Sequence, residues 1–179
     1  IMDTDRGVPT IAEAARQIKA GMLSPVTLVK HCLSRIDNHE PTIQAFHTIF
    51  ADEALATAEI AEKEVESGNY RGPLHGIPIT VKDALETKGI RSTGGATELH
   101  NNVPERDAPV VKAVKDAGAI VFGKSNLPRW SGDIQAYNEM FGTTVNPWNA
   151  DRVPGGSSGG AAAAVSAGLT SFEIGTDIG

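Results

Sequence analysis

The sequence predicts an α/β fold, in which helices cover a β-sheet. Short segments rich in β-branched and aromatic residues alternate along the chain with segments whose apolar residues recur at helical spacing. Glycine and proline residues separate these segments. Apolar residues make up 40% of the 179 residues, which is enough to bury the core of one ordinary globular domain.

Two helices are expected near the start of the chain. Thr10 begins a capping box, and Gly21 stands where the first helix should stop. Ser24 supplies the N-cap of the second helix, whose apolar residues recur at helical spacing as far as Pro41. Because proline interrupts helical hydrogen bonding, we expect the second helix to end there.

The rest of the chain continues the alternation of strands and helices. Asp107 is expected to cap a helix that carries three valines and ends at Gly118. The predicted strands are residues 43–50, 76–82, 119–122 and 172–176, and the other predicted helices are residues 52–67 and 161–169.

Charge and composition exclude several classes of protein. The net charge of −6 argues against a nucleic-acid binder and against a polybasic membrane anchor. Residues 153–172 are uncharged but mostly Gly, Ser and Ala, so we do not expect a membrane span. The sequence shows no apolar secretory signal, and its single Cys32 fits a reducing compartment, so the cytoplasm is expected. No histidine spacing suggests a metal site.

Two glycine-containing patterns imitate known motifs. Residues 118–125 have the spacing of a phosphate-binding loop, but the intervening residues are apolar, so we expect a buried strand without a nucleotide site. Gly156, Ser158 and Gly160 have the spacing of a nucleophile elbow. A hydrolase of that kind needs a histidine after its serine, and all five histidines lie at or before His100.

The glycine and serine run itself has two interpretations. It could be a flexible linker, as its composition allows. The small-residue helix expected directly after it favours instead a tight loop leading into that helix, with N–H groups available to an oxyanion.

Five segments together closely resemble the amidase signature family of serine hydrolases. They match the family in order as well as in spacing, and the resemblance extends from about Ser24 to the last residue. The glycine and serine block and the final Gly-Thr-Asp-Ile-Gly are the most specific parts. The segments are residues 72–83, 123–126, 146–148, 154–160 and 175–179.

This resemblance implies a fold, a reaction and a set of residues. Family members hydrolyse amide bonds through a Ser-Ser-Lys acyl-enzyme mechanism without cofactor or metal, on a mixed, twisted β-sheet covered by helices. Lys82 would be the base, and Ser157, following a cis peptide bond after Gly156, would be the bridging serine. The remaining implied roles are support of the site by Ser158, Thr176 and Asp177, oxyanion binding by Ile178 and Gly179, and contact with substrate by Ser131 and Asp133.

The family's nucleophile is the serine that follows a Gly-Thr-Asp-Ile-Gly-Gly run. The sequence stops at Gly179, one glycine and one serine short of it. We therefore expect residues 1–179 to be the N-terminal portion of a single amidase signature domain, and to be inactive alone.

Lys82 is a chemically reasonable base only if it is buried. A solvated lysine has a pKa of about 10.4, so at pH 7 almost every molecule carries the proton that a base must lack. The apolar strand before Lys82 would supply the burial. Strand alternation also directs Asp83 to the opposite face of the sheet, away from the amine.

Other functions remain open at this point. One is the glutaminase subunit of a tRNA-dependent amidotransferase, although residues 127–133 look more like those of the free amidases. Another is a noncatalytic fragment or binding module, because the attacking serine is absent from these residues. The expected partner is a small-molecule amide rather than a nucleic acid or a membrane, and the sequence leaves a homo-oligomer open.

Overall fold

A computed structural model describes residues 7–177. Within them the chain forms five α-helices and six β-strands. The helices are α1 (Ile11–Lys19), α2 (Pro25–Ile43), α3 (Ala51–Glu66), α4 (Pro109–Asp116) and α5 (Gly159–Ser166). The strands are β1 (Phe46–Ile49), β2 (Pro78–Lys82), β3 (Ile120–Ser125), β4 (Tyr137–Asn138), β5 (Gly142–Thr143) and β6 (Glu173–Ile174).

Four of these strands form one mixed sheet, in the order β1-β3-β2-β6. β2 runs parallel to both β3 and β6, whereas β1 runs antiparallel to β3. β4 and β5 form a separate two-stranded hairpin. The expected α/β class with a mixed sheet is therefore confirmed.

The central strand β2 presents two different faces. Ile79 and Val81 lie in a hydrophobic cluster with residues of α1 and α4. Thr80 and Lys82 alternate with them and therefore lie on the other face of the sheet. All five residues of the strand are buried. Asp83, the next residue, returns to the face of Ile79 and Val81.

The beginnings of the first two helices confirm the sequence expectations, but the end of α2 does not. The side chains of Thr10 and Ser24 accept hydrogen bonds from main-chain N–H groups in the first turns of α1 and α2. The expectation that α2 ends at Pro41 is wrong, because the helix continues to Ile43. Ile43 is buried in the core, and Gln44 closes the helix in a left-handed conformation. Burial of Ile43 thus outweighs the hydrogen bond that Pro41 cannot donate.

Other expected boundaries also require correction. Asp107 does not cap α4, because its carboxylate accepts hydrogen bonds from the Lys88 N–H and the Lys115 amine instead. β1 begins at Phe46 rather than at residue 43, which belongs to α2. β2, β3 and β6 differ by a few residues from expectation, and α5 begins within the glycine run and ends at Ser166.

The segment that imitates a phosphate-binding loop is part of the sheet. All six residues of β3 are buried, which confirms the expected buried strand. The Lys124 amine donates hydrogen bonds to the Leu85 carbonyl oxygen and to the hydroxyls of Thr87 and Ser92. It also lies 3.5 Å from the carboxylate of Asp83. Lys124 therefore ties the sheet to the segment that follows β2. Among the described helices, none is both long and apolar enough to cross a membrane.

Candidate active site

Lys82 is the last residue of β2 and the centre of a buried polar site. Its side chain is fully buried, and its neighbour in the register of β3 is Ser125. The Lys82 amine lies 2.6 Å from the Ser157 hydroxyl and 2.6 Å from the Thr176 hydroxyl. Two hydroxyl groups from two different segments therefore hold one amine.

The surroundings of Lys82 favour its neutral form. Burial lowers the pKa of the Lys82 amine from 10.5 to about 8, because removing water disfavours the charged ammonium group. Asp83, although adjacent in sequence, interacts on the other face of the sheet. Its carboxylate accepts hydrogen bonds from the N–H and the hydroxyl of Thr93 and lies 3.0 Å from the His47 ring.

Ser157 lies in a loop that packs tightly against neighbouring main chain. The peptide bond between Gly156 and Ser157 is cis, as the resemblance implies. A Cβ atom on Gly156 would lie 2.5 Å from the main-chain carbonyl carbon of Ile134. A Cβ atom on Gly160 would lie 2.5 Å from main-chain atoms of Asn126. These glycines therefore allow the loop to approach its neighbours closely enough to place Ser157 beside Lys82.

The second serine of the pair contacts a different part of the site. Ser158 is the N-cap residue of α5, yet its side chain makes no capping hydrogen bond to that helix. Its hydroxyl instead donates to the Thr176 carbonyl oxygen at 3.0 Å and accepts from the Thr176 N–H at 3.1 Å. The two adjacent serines thus face two different partners.

The structure brings some of the candidate residues together and leaves others apart. Lys82, Ser157, Ser158 and Thr176 form one connected hydrogen-bonded group. Asp177 follows Thr176 and is exposed. Ile178 and Gly179, the residues implied for oxyanion binding, lie outside the described residues. One N–H of the glycine run is already used, because Gly160 donates to the Asn126 carbonyl oxygen.

The two candidate substrate residues lie in the segment that follows Asn126. Ser131 lines a cavity of about 250 Å³ together with Asp83 and Trp130. Asp133 lines a second cavity of about 200 Å³, and its carbonyl oxygen borders Gly156. Asp133 is therefore adjacent to the loop that carries Ser157.

Glu173 is a residue near the site that the sequence analysis missed. Its carboxylate accepts a hydrogen bond from the Ser125 hydroxyl at 2.6 Å and another from the Thr80 hydroxyl. Desolvation raises the pKa of the Glu173 carboxyl to about 7. A charged residue inside a predicted strand was the available signal, but its partners on β2 and β3 depend on strand register.

The buried pair of His47 and Asp83 was also missed. The sequence indicates only an ordinary surface or core histidine at this position, and His47 is indeed buried beside Asp83. Burial opposes ionisation of Asp83, but the His47 ring and the Lys124 charge hold the pKa of that carboxyl below its usual value. Across the described part of the chain, no cluster of three His, Cys, Asp or Glu residues could hold a metal ion.

Comparison with known proteins decides the family. The sequence pattern of the amidase family matches residues 27–179. The chain belongs to the amidase signature family. Members of this family among its similar structures are named as hydrolases of amide bonds, including a peptide amidase and a fatty acid amide hydrolase.

Curated relatives of this amidase-family chain include proteins named as a subunit of glutamyl-tRNA(Gln) amidotransferase. The glutamyl-tRNA(Gln) amidotransferase component from Dehalococcoides mccartyi is 43% identical over 176 residues, which cover 98% of this chain and 36% of the relative. The component of the same name from Prochlorococcus marinus is 41% identical, with 95% and 35% covered. The chain thus spans about a third of the length of these relatives.

Solved structures of the family share the fold. A fatty acid amide hydrolase matches with a TM-score of 0.91 and 30% identity, over 96% of this chain and 30% of the other. The peptide amidase from Stenotrophomonas maltophilia matches with a TM-score of 0.89 and 33% identity, over 96% and 36%. The chain therefore has the fold of about a third of these amidase signature enzymes.

Proposed function

We propose that this chain supplies the base and the bridging serine of an amidase, which hydrolyses a carbon–nitrogen amide bond to a carboxylate and ammonia or an amine. The observation that carries the proposal is the 2.6 Å contact between the buried Lys82 amine and the Ser157 hydroxyl. Both partners of the amine are neutral hydroxyls, so they do not fix it in the charged form as a carboxylate would.

In this mechanism the neutral Lys82 amine accepts the Ser157 proton while Ser157 accepts the proton of the attacking serine. The family resemblance places that serine just after Gly179. Its oxygen bonds to the amide carbon and displaces the amine, which leaves with the proton returned through Ser157 and Lys82. Water then releases the carboxylate by the same proton route. The N–H groups of Ile178 and Gly179 remain the predicted oxyanion donors.

The proposal is tested by removing each proton carrier in a protein that contains the whole family domain. We expect Lys82→Ala to lower kcat/KM by at least about a thousandfold while the melting temperature shows a folded protein. Ser157→Ala should lower it more than Ser158→Ala. Lys112→Ala is the matched control, because Lys112 is an exposed lysine paired with Asp116 on α4. Near-normal hydrolysis by the Lys82 variant would contradict the assignment.

The glutaminase subunit of a tRNA-dependent amidotransferase is the second candidate function. It is favoured by the names of the curated relatives, which are 41% and 43% identical. Residues 127–133, in contrast, look more like those of free amidases. Hydrolysis of simple amides by the protein without partner subunits would support the free amidase. Activity on glutamine that appears only with such subunits would support the second function.

The substrate and compartment are parts of the same proposal. We infer a small-molecule amide as the substrate, with no role for nucleic acid or membrane, and the cytoplasm as the compartment. The buried, unpaired thiol of Cys32 fits a reducing compartment.

A further inference from the structure

The hydroxyl of Ser158 is used in an unusual way for its position. A serine at a helix N-cap ordinarily accepts a hydrogen bond from an N–H in the first turn of that helix. Ser158 occupies this position in α5 but makes no such bond. Its hydroxyl instead pairs with both the N–H and the carbonyl oxygen of Thr176, eighteen residues further along the chain. A side chain thus replaces the partner that a neighbouring strand would provide.

Thr176 needs such an anchor because it lies beyond the paired part of β6. That strand contacts β2 through two register pairs, Thr80 with Glu173 and Val81 with Ile174. Because β6 ends at Ile174, none of the strands in residues 7–177 pairs with the main chain of Thr176. The Thr176 hydroxyl nevertheless contacts the Lys82 amine at 2.6 Å.

The residue between the strand and Thr176 fits closely around the same contact. A Cβ atom on Gly175 would lie 2.8 Å from the Ser158 hydroxyl oxygen and 3.1 Å from its Cβ atom. Any larger residue at this position would therefore displace the hydroxyl from the Thr176 main chain. Close packing at Gly175 and both hydrogen bonds of Ser158 therefore hold the Ser158 hydroxyl against the main chain of Thr176.

We propose that Ser158 is a positioning residue, whose hydroxyl fixes the main chain of Thr176 so that the Thr176 hydroxyl holds the Lys82 amine against Ser157. The side chain of lysine has four rotatable bonds, and a single hydrogen bond donated by the amine to Ser157 leaves the amine free to rotate about that contact. A second, fixed hydroxyl removes this freedom. The inference rests on the proposed function, because it assigns Ser158 a role in preparing the base.

The kinetic test is a double-mutant cycle in a protein that contains the whole family domain. We expect Ser158→Ala to lower kcat about 10- to 100-fold, since small displacements of a catalytic group have effects of this size. KM should stay within about twofold, because the proposed role of Ser158 is to position the base and not to bind the substrate. Thr176→Val should also lower kcat, and Thr176→Ser, which keeps the hydroxyl, should recover most of that loss.

The cycle decides whether Ser158 acts through Thr176. The double variant Ser158→Ala, Thr176→Val should be no slower than Thr176→Val alone, to within about twofold. A double variant whose loss of kcat equals the product of the two single losses would overturn the proposal. An unchanged kcat in Ser158→Ala, or an effect of that variant on KM alone, would also overturn it. Ser67→Ala is the control, because Ser67 is an exposed serine that bonds only local groups at the end of α3.

A second measurement does not depend on activity. The Thr176 amide hydrogen donates to Ser158, so its exchange with deuterium should accelerate at least about tenfold in Ser158→Ala and stay slow in Ser67→Ala. Gly175→Ala should accelerate the same exchange. Unchanged exchange of the Thr176 amide in both Ser158→Ala and Gly175→Ala overturns the proposal. Failure of the proposed function would appear instead as full activity in Lys82→Ala, which leaves the exchange result intact.

Discussion

At the scale of single residues, Lys82 combines two requirements that oppose each other. A base needs a neutral amine, and burial increases the neutral fraction near pH 7 by lowering the pKa of Lys82 to about 8. The same burial costs free energy of folding, because the unfolded chain carries this proton up to a higher pH. The side chain that favours the reaction therefore destabilises the fold.

We expect Lys82→Met to raise the free energy of unfolding at pH 7 by about 1 to 3 kcal/mol, while abolishing hydrolysis. Methionine occupies the same buried position without a charge, although it leaves the hydroxyls of Ser157 and Thr176 without the Lys82 amine. The advantage should shrink between pH 8 and 10.5, since there the unfolded wild type binds more protons and wild-type stability rises with pH. Urea unfolding across this range is the measurement, with Lys112→Met as an exposed control. A less stable Lys82→Met would contradict the argument.

At the scale of elements, α5 reaches the sheet through its glycines. Gly160 donates its N–H to the Asn126 carbonyl oxygen at the exit of β3. A side chain at this position would meet main-chain atoms of Asn126 and Ala45, which cannot rotate away as a side chain could. This contact therefore fixes the position of the first turn of α5, and with it the positions of Ser157 and Ser158.

Gly160→Ala should destabilise the protein by about 3 kcal/mol or more, because overpacking against main chain forces the helix to shift. Activity should fall more than stability alone explains, since Ser157 moves with the helix. The matched change is Gly7→Ala, where the nearest atom to a new Cβ lies 3.8 Å away and little effect is expected. Thermal unfolding and turnover of both variants provide the comparison. Equal stabilities of Gly160→Ala and Gly7→Ala would show that α5 can shift away from Asn126 without loss of stability.

The elements also show which features could be predicted from sequence. Thr10 and Ser24 mark helix starts because their caps depend on residues only three positions away. The contact between Lys82 and Ser157 agrees with the roles that the family resemblance implies, because that resemblance is carried by short motifs that can be read directly from the sequence. The end of α2 was not predicted, since the burial of Ile43 depends on tertiary packing. Glu173 and the pair of His47 and Asp83 also escaped, because their partners are distant in sequence and depend on strand register.

At the scale of the whole molecule, Glu173 joins the last described strand to the rest of the sheet. Its carboxylate on β6 reaches hydroxyls on β2 and on β3, so one side chain connects three strands. The folded state binds the Glu173 proton more tightly than the unfolded state does, because desolvation raises the pKa of the carboxyl from 4.5 to about 7. This term therefore lowers stability as the pH rises from 4.5 to 7.

Glu173→Gln keeps a side chain of the same shape and removes that titration. We expect the stability of the Gln variant relative to wild type to increase as the pH rises from about 4.5 to about 7, and to level off at higher pH. Unfolding by urea at several pH values measures the difference, and Glu59→Gln on α3 is the control because Glu59 is exposed. A difference that does not vary with pH would show that Glu173 is ionised throughout.

The alternation of Lys82 and Asp83 across β2 also limits how this protein can evolve. Substitutions at single positions of the strand leave the amine on one face and the carboxylate on the other. Loss or gain of one residue within residues 78–82 would exchange the two faces, bringing a carboxylate to Ser157 and an amine to His47. We therefore expect an insertion or deletion within this strand to damage the site, whereas a conservative substitution of Ile79 or Val81 leaves both faces in place.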